Sequence, residues 1–333
     1  VPKKDVTNLD ALAQGFAAAV YYYNAGARVL LLKGDAVDLL AAYPQPDVNL
    51  VFADPPYFLS NDGITCHAGR MVSVNKGKWD KSQGALANHA FNLAWLSACR
   101  RVLHPDGTIF VSGTQHIIYS VGFAMQVLGM KLLNSITWVK PNPPPNLSCR
   151  YLTHSTETVV WAAKGAKSRH TFNYAAMREM NGGRQMKDIW EILPPGADEK
   201  RYGKHPTQKP ERLLEMVLAT AAKPGDLVLD PFNGSGTTGV VAARRGHPYI
   251  GIEIDEEYLA CSVKRIEDEI RSSSESSVES REFENRVGAA IHRAQSTSDA
   301  GRRARERRSG GRDEGDLFDA ELETLSGRKT RPK

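Results

Sequence analysis

Short apolar runs, each cut off by a polar or proline-containing turn, set the rhythm of this chain. Val29-Leu30-Leu31-Leu32 stops at Lys33-Gly34-Asp35, and Val48-Asn49-Leu50-Val51-Phe52-Ala53 stops at Asp54-Pro55-Pro56-Tyr57. Runs of this kind predict strands buried on both faces, and prolines force the second one to leave its sheet. Further strands are predicted over 108–112, 132–139, 158–162, 227–229 and 249–254. Between them, helical spacing predicts helices over 37–43, 91–103, 120–128 and 210–222, one from the turn at 230–238 through Arg244, and one beginning near Glu256. Leu9 to Tyr23 also reads as a short helix-like stretch. Strands alternating with helices over short connections predict an α/β fold with a mostly parallel sheet covered on both faces.

Three segments depart from this rhythm. Residues 58–90 are polar and glycine-rich, and a loop so long inside a compact enzyme is usually functional. Residues 164–204 mix Arg, Lys, Asn and aromatics, among them Arg169, His170, Phe172, Tyr174, Arg178, Arg184, Lys187, Trp190, Arg201 and Tyr202. After about Ser272 the chain turns to clusters of Ser, Arg, Glu and Gly, the composition of a disordered tail.

Composition narrows the function classes only slightly. A 41% hydrophobic share suits a packed core, no apolar run could span a bilayer, and no secretory signal precedes the first helix, so a cytoplasmic, non-membrane protein is expected. Cys66, Cys99, Cys149 and Cys261 are far apart and form no metal-ligand pattern, so no metal site is expected. The net charge of +5 permits binding to a phosphate backbone without demanding it.

Two loops carry the chemistry. Asp230-Pro231-Phe232-Asn233-Gly234-Ser235-Gly236-Thr237-Thr238 is a strand end, a turn and a helix start, with glycines where a ligand could approach the backbone closely. It has neither the dinucleotide fingerprint nor a P-loop lysine, which suits a nucleoside without a pyrophosphate. Glu253, about twenty residues on at the next strand end, stands where ribose hydroxyls are usually held. The second loop, Asp54-Pro55-Pro56-Tyr57, puts a carboxylate at a strand's carboxyl end, where open α/β sheets place their sites. Its prolines preorganise the neighbouring carbonyls, and its tyrosine offers a stacking face for a base.

Together these loops resemble the catalytic and cofactor motifs of DNA amino-methyltransferases, and their order resembles the circularly permuted β-class. Gly107 to Gly113, His154 to Trp161 and Gly203 to Pro210 look like further segments of that class, so the likeness runs from about 29 to 270. More narrowly, DPPYFLSNDG from Asp54, NLSCRYLTHSTET from Asn146 and QMKDIW from Gln185 look like the DpnA-type adenine methylases of GATC restriction-modification systems.

The resemblance implies a three-layer, Rossmann-like methyltransferase fold: an N-terminal extension (1–28), a catalytic half (29–163), a target-recognition region (164–204), a cofactor half (205–270) and a disordered tail (271–333). It implies S-adenosylmethionine as cofactor and DNA as partner, a cognate restriction endonuclease as genetic partner, and an open oligomeric state that includes a dimer. Asp54 and the Pro55 carbonyl would accept hydrogen bonds from the target amine of a flipped base, with Pro56 stiffening the loop and Tyr57 stacking on the ring. Phe232, Asn233, Gly234, Ser235, Gly236, Thr237 and Thr238 would surround the methionine end of the cofactor, Glu253 the ribose, and His205 and Lys209 its border. Asp35 has two readings, a partner of the cofactor's adenine amine or a helix N-cap beside Val37. Arg70, Lys76, Lys78 and Trp79 could close over the flipped base.

Several alternatives stay open at the level of sequence. The same geometry serves N4 of cytosine, although aspartate at position 54 leans toward adenine. The fold also serves RNA or protein-amide methylation, or a binding protein without catalysis. A nicotinamide reductase lacks its first glycine turn here.

Overall fold

The computed structural model describes residues 8–59, 80–203 and 205–275, and the backbone of 64–67 and 70–73. The side chains of Arg70, Lys76, Lys78 and Trp79, and the tail beyond 275, lie outside the described residues.

The order of elements is α1 (Leu9–Gly15), β1 (Val20–Asn24), β2 (Val29–Lys33), α2 (Ala36–Ala42), β3 (Val48–Ala53), β4 (Ile64–His67), β5 (Arg70–Ser73), α3 (Ala85–Val102), β6 (Leu103–Gly113), α4 (Ile118–Val127), β7 (Lys131–Val139) and β8 (Thr156–Ala163). Then follow α5 (Tyr174–Met180), β9 (Ile189–Glu191), α6 (Glu211–Ala221), β10 (Val228–Asp230), α7 (Thr237–Arg244), β11 (Tyr249–Glu253) and a last helix, α8, over 256–275.

Nine strands form one sheet in the order β1-β2-β11-β10-β3-β6-β8-β7-β9, and β4 pairs with β5 in a separate hairpin. Only β1 and β8 in the large sheet run against the rest. Alternate side chains of the central strands serve opposite layers. Leu30, Leu32, Val51, Ile109 and Leu229 pack against α1 to α4, whereas Leu31, Leu50, Phe52, Phe110 and Val228 pack against α6 to α8. The expected three-layer architecture is therefore present, with β10 and β11 from late in the chain seated between β2 and β3 from its beginning.

Several expectations need correction. Residues 9–23 are not one helix: α1 ends at Gly15, and Val20 to Asn24 pairs antiparallel with β2. A run of three tyrosines after valine favours a half-buried edge strand over a helix. Leu9 and Leu12 are buried in the core, so the chain before residue 29 is part of the fold. Residues 164–204 are likewise tied to the sheet, because β9 adds to β7 and buries Trp190. Asn173 donates to the Ala219 and Ala222 carbonyls near the end of α6, and Met177 is buried beside Thr220. Trp161 meets Phe172 at 6.0 Å, which gives this second aromatic a packing partner as well. The tail begins later than expected, since α8 continues to 275. Finally, β6 starts at Leu103: its register steps from Val48↔Leu103 to Leu50↔Thr108, so the His104-to-Gly107 turn bulges within the strand.

Candidate active site

Because β3 and β10 are neighbours, the loops at their carboxyl ends open side by side. They border a cavity of about 460 Å³ whose wall includes Asp54, Pro55, Pro56, Tyr57, Phe232, Gly234 and Glu253. Asn233, Ser235, Thr237, Thr238, Asp35, His205 and Lys209 line it too. Of the site residues expected from sequence, only Gly236 stands off the wall.

The Asp54 carboxylate is already heavily solvated by protein. Ser112 Oγ and the Tyr57 hydroxyl donate to its Oδ1 at 2.5 and 2.8 Å, and Lys209 Nζ donates to Oδ2 at 2.5 Å. A carboxylate offers about four acceptor positions, so roughly one remains for an incoming N–H. Lys209 is buried; burial lowers its pKa, but Asp54 and Glu157 outweigh that and hold it above the ordinary lysine value. It is thus a fixed cation whose nearest partner is the Asp54 carboxylate, a more specific place than the cofactor border expected from sequence.

Tyr57 lines the cavity, and it is also held tightly from the side. Its ring is only 5% exposed, it lies under the Lys209 ammonium at 5.2 Å, and its hydroxyl reaches Asp54, Ser112 and Glu157. Burial and the two carboxylates raise its pKa well above the usual phenol, so it stays a neutral donor. Glu157 completes the cluster with a 2.5 Å ion pair to Lys140. Burial pushes its carboxyl up, yet Lys209 and Lys140 together bring it below the ordinary value. The backbone then turns sharply: Phe58 has φ of +58°, and buried Asp80 accepts from the Phe58 and Leu59 amides at 2.7 and 3.1 Å. Such a left-handed residue persists only where its surroundings hold it.

The cofactor-side loop is held from behind. Arg265 of α8 donates to Ser235 O, Ser235 Oγ, Thr237 Oγ1 and Glu211 Oε1. Thr238 Oγ1 donates to Asp230 Oδ2 at 2.6 Å, and the Phe232 amide donates to Oδ1. Burial raises the Asp230 pKa to about 7. Asn233 Oδ1 accepts from the Tyr249 hydroxyl at 2.7 Å. Most side chains of the turn therefore face inward, which leaves its backbone and the Phe232 ring toward the cavity. Phe232 is itself braced edge-on by Trp95 at 5.3 Å.

The two glycines answer different needs. A Cβ on Gly234, φ +50°, would come within 3.1 Å of His205 Nε2. A Cβ on Gly236, φ +78°, would strike Ser262 Oγ at 2.1 Å, so this glycine admits α8 rather than a ligand. Glu253 accepts from Gly234 N at 2.8 Å and from the Ile254 and Asp255 amides at 2.9 Å each, tying β11 to the turn with about one acceptor position to spare. Asp35 caps α2, accepting from Val37 and Asp38, and lines the cavity as well; the N-cap reading holds.

Sequence reasoning missed Ser112, Lys140, Glu157, Asp80 and Arg265 as site residues. For Ser112 and Glu157 the available signal was a hydroxyl or carboxylate inside an otherwise apolar strand, as in Thr-Glu-Thr-Val-Val-Trp.

A mostly parallel sheet carrying an acidic strand-end loop beside a glycine turn, both on one cavity, fits a nucleoside-using group-transfer enzyme. The chain belongs to the DNA methylase family, whose model matches residues 48–264. It is 51% identical over 249 residues to the Type II methyltransferase M2.DpnII of Streptococcus pneumoniae, covering 74% of this chain and 92% of that protein. It is 52% identical over 238 residues to M2.LlaDCHI of Lactococcus lactis subsp. cremoris, covering 71% of this chain and 88% of that one. M2.MboI of Moraxella bovis matches at 46% over 235 residues, 71% of this chain and 86% of that protein. In fold, the M1.HpyAVI–SAM complex superposes with a TM-score of 0.55 at 24% identity, over 72% of this chain and 98% of that one. PvuII DNA methyltransferase (cytosine-N4-specific) gives a TM-score of 0.58 at 20% identity, over 77% and 95%. The chain is a DNA methyltransferase.

Proposed function

We propose that this methyltransferase transfers a methyl group from S-adenosylmethionine to the N6 amine of a flipped-out adenine, within GATC. One observation carries the reading: the Asp54 loop and the Gly234–Glu253 turn open on the same cavity of about 460 Å³. That volume lies within the range of small-ligand and cofactor sites. The site specificity draws on the likeness of residues 54–63, 146–158 and 185–190 to GATC-system adenine methylases, and on the Type II names of the relatives.

The residues present fit the cofactor. Glu253 has an acceptor position left for ribose hydroxyls, Phe232 offers a ring, and the backbone of the 234 turn stands open to the methionine end. Asp35 would meet the adenine amine from the end of β2. When bound, S-adenosylmethionine supplies a methyl group on a sulfonium that is its own leaving group.

An exocyclic base amine is a poor nucleophile because its lone pair is delocalised into the ring. The open position on Asp54, together with the Pro55 carbonyl, would accept from the NH₂ and turn that lone pair toward the methyl. Lys209, Ser112 and Tyr57 hold the carboxylate in place, so little reorganisation is needed. The base must leave its duplex to reach the cavity. Acting on DNA, the enzyme is read as cytoplasmic, with a cognate restriction endonuclease as genetic partner. Nucleoside mass spectrometry of DNA treated with the enzyme and S-adenosylmethionine tests the choice of base. N6-methyladenine confined to GATC is expected, and N4-methylcytosine alone would overturn the reading.

A further inference from the structure

The connection between β7 and β8, residues 140–155, leaves the same sheet edge as Asp54, through the registers Ala53↔Val111, Val111↔Val160 and Val139↔Thr156. Its base is closed by the Lys140–Glu157 ion pair and by Lys140 N donating to Ser155 O. Four prolines stiffen the first half. The second half is a turn organised by one side chain: Asn146 Oδ1 accepts from Ser148 N and Oγ at 3.0 and 2.7 Å, and its Nδ2 donates to Tyr151 O at 2.5 Å. Cys149 takes the left-handed conformation, φ +52°, at the apex.

That turn holds hydrocarbon out in solvent. Leu152 is 89% exposed and Tyr151 is 59% exposed, the tyrosine ring resting on His154 at 5.3 Å. The segment carries Lys140, Arg150 and His154 and no carboxylate, a charge balance suited to a phosphate backbone. Leu152 lies only five positions before Glu157, which touches the Tyr57 hydroxyl at 3.1 Å. A span of that length is at most about 17 Å, so the tip stays within reach of the gap a displaced base would leave.

We propose that the 146–152 turn is a base-flipping wedge: Leu152 enters the duplex in place of the displaced adenine, and Arg150 holds the adjoining phosphate. Apolar side chains inserted between base steps offset lost stacking in this way. The proposal rests on the adenine reading above. Its test compares kcat/KM of wild type, Leu152→Ala and Leu152→Met on a GATC duplex and on the single strand of the same sequence. Leu152→Ala is expected to lose about tenfold on the duplex and little on the single strand, where no stack must be opened, while Leu152→Met keeps most activity. Equal loss on both substrates, or none on the duplex, overturns the wedge. Wild-type transfer confined to the single strand also overturns it and leaves adenine methylation standing. No wild-type transfer to adenine in either substrate overturns the reading beneath it and the wedge with it.

Discussion

At the scale of single residues, the charge balance around Asp54 decides what the loop can do. Its carboxylate shares a buried pocket with Glu157, and Lys209 is the cation set between them. Removing one partner of such a buried pair typically costs about 3 kcal/mol, because a charge is left without compensation. Lys209→Met is therefore expected to lower stability by that order. It should also slow methyl transfer, since the ammonium that holds Asp54 Oδ2 at 2.5 Å would be gone. A single-turnover rate measurement beside a urea melt reads both, and an unchanged rate would refute the assignment. Asp54→Ala should abolish transfer while S-adenosylmethionine still binds by calorimetry. Asp230 makes a separate pH prediction. Its native pKa is raised by burial to about 7, so between the ordinary carboxylate value and about 7 the native state binds more protons than the unfolded one. Stability from this group is greatest below that window and falls as pH rises through it. Asp230→Asn should flatten the decline, seen as a smaller difference between melts at pH 5 and pH 8. The acidic and glycine loops were legible in sequence because their chemistry is contiguous. Lys209 was legible only as a neighbour of the cofactor, since its partner lies 155 positions away and nothing local marks the pairing.

Among the elements, α8 decides how the glycine turn is built. It brings Arg265 under Ser235 and Thr237, and it brings Ser262 so near Gly236 that a methyl group has no room. Gly236→Ala is expected to destabilise by about 3 kcal/mol, through overpacking and a left-handed backbone that alanine resists. Adding Ser262→Ala should not rescue it, because the Ser262 Cβ itself would stand 2.8 Å from the new carbon. Denaturant melts of the single and double variants check this, and full rescue would refute the packing account. Apart from the start of β6, the buried strands were legible to within about two residues, β3 without error, because a fully buried strand announces itself as an unbroken apolar run. The edge elements were not. β1 reads as helix when its tyrosines are counted as apolar positions at helical spacing, and β9 is three residues inside a charged stretch. Both exist through pairing with a neighbour that local pattern does not reveal.

For the whole molecule, the sheet order is the controlling fact. β10 and β11 pair with β3 and β2, so the β10–β3 and β11–β2 ladders in the middle of the sheet join distant parts of the chain. A fragment ending at residue 209 would expose the edges of β2 and β3, where Leu30, Leu31, Leu50 and Val51 are fully buried in the intact protein. Unpaired apolar edges of this kind promote association. The fragment is expected to sediment as aggregate, and a soluble fragment with a cooperative melt would show that the first half is an independent unit.

The same placement of β10 has a consequence during synthesis. At about 5–20 residues per second, the ribosome needs on the order of 10 s or more to go from the end of β3 to the start of β10. For most of that interval the nascent chain carries Asp54 without Lys209, and for all of it without a glycine turn to face. An interrupted translation product consequently cannot mark DNA, and the cell gains a working modifier only after nearly the entire catalytic body has left the exit tunnel.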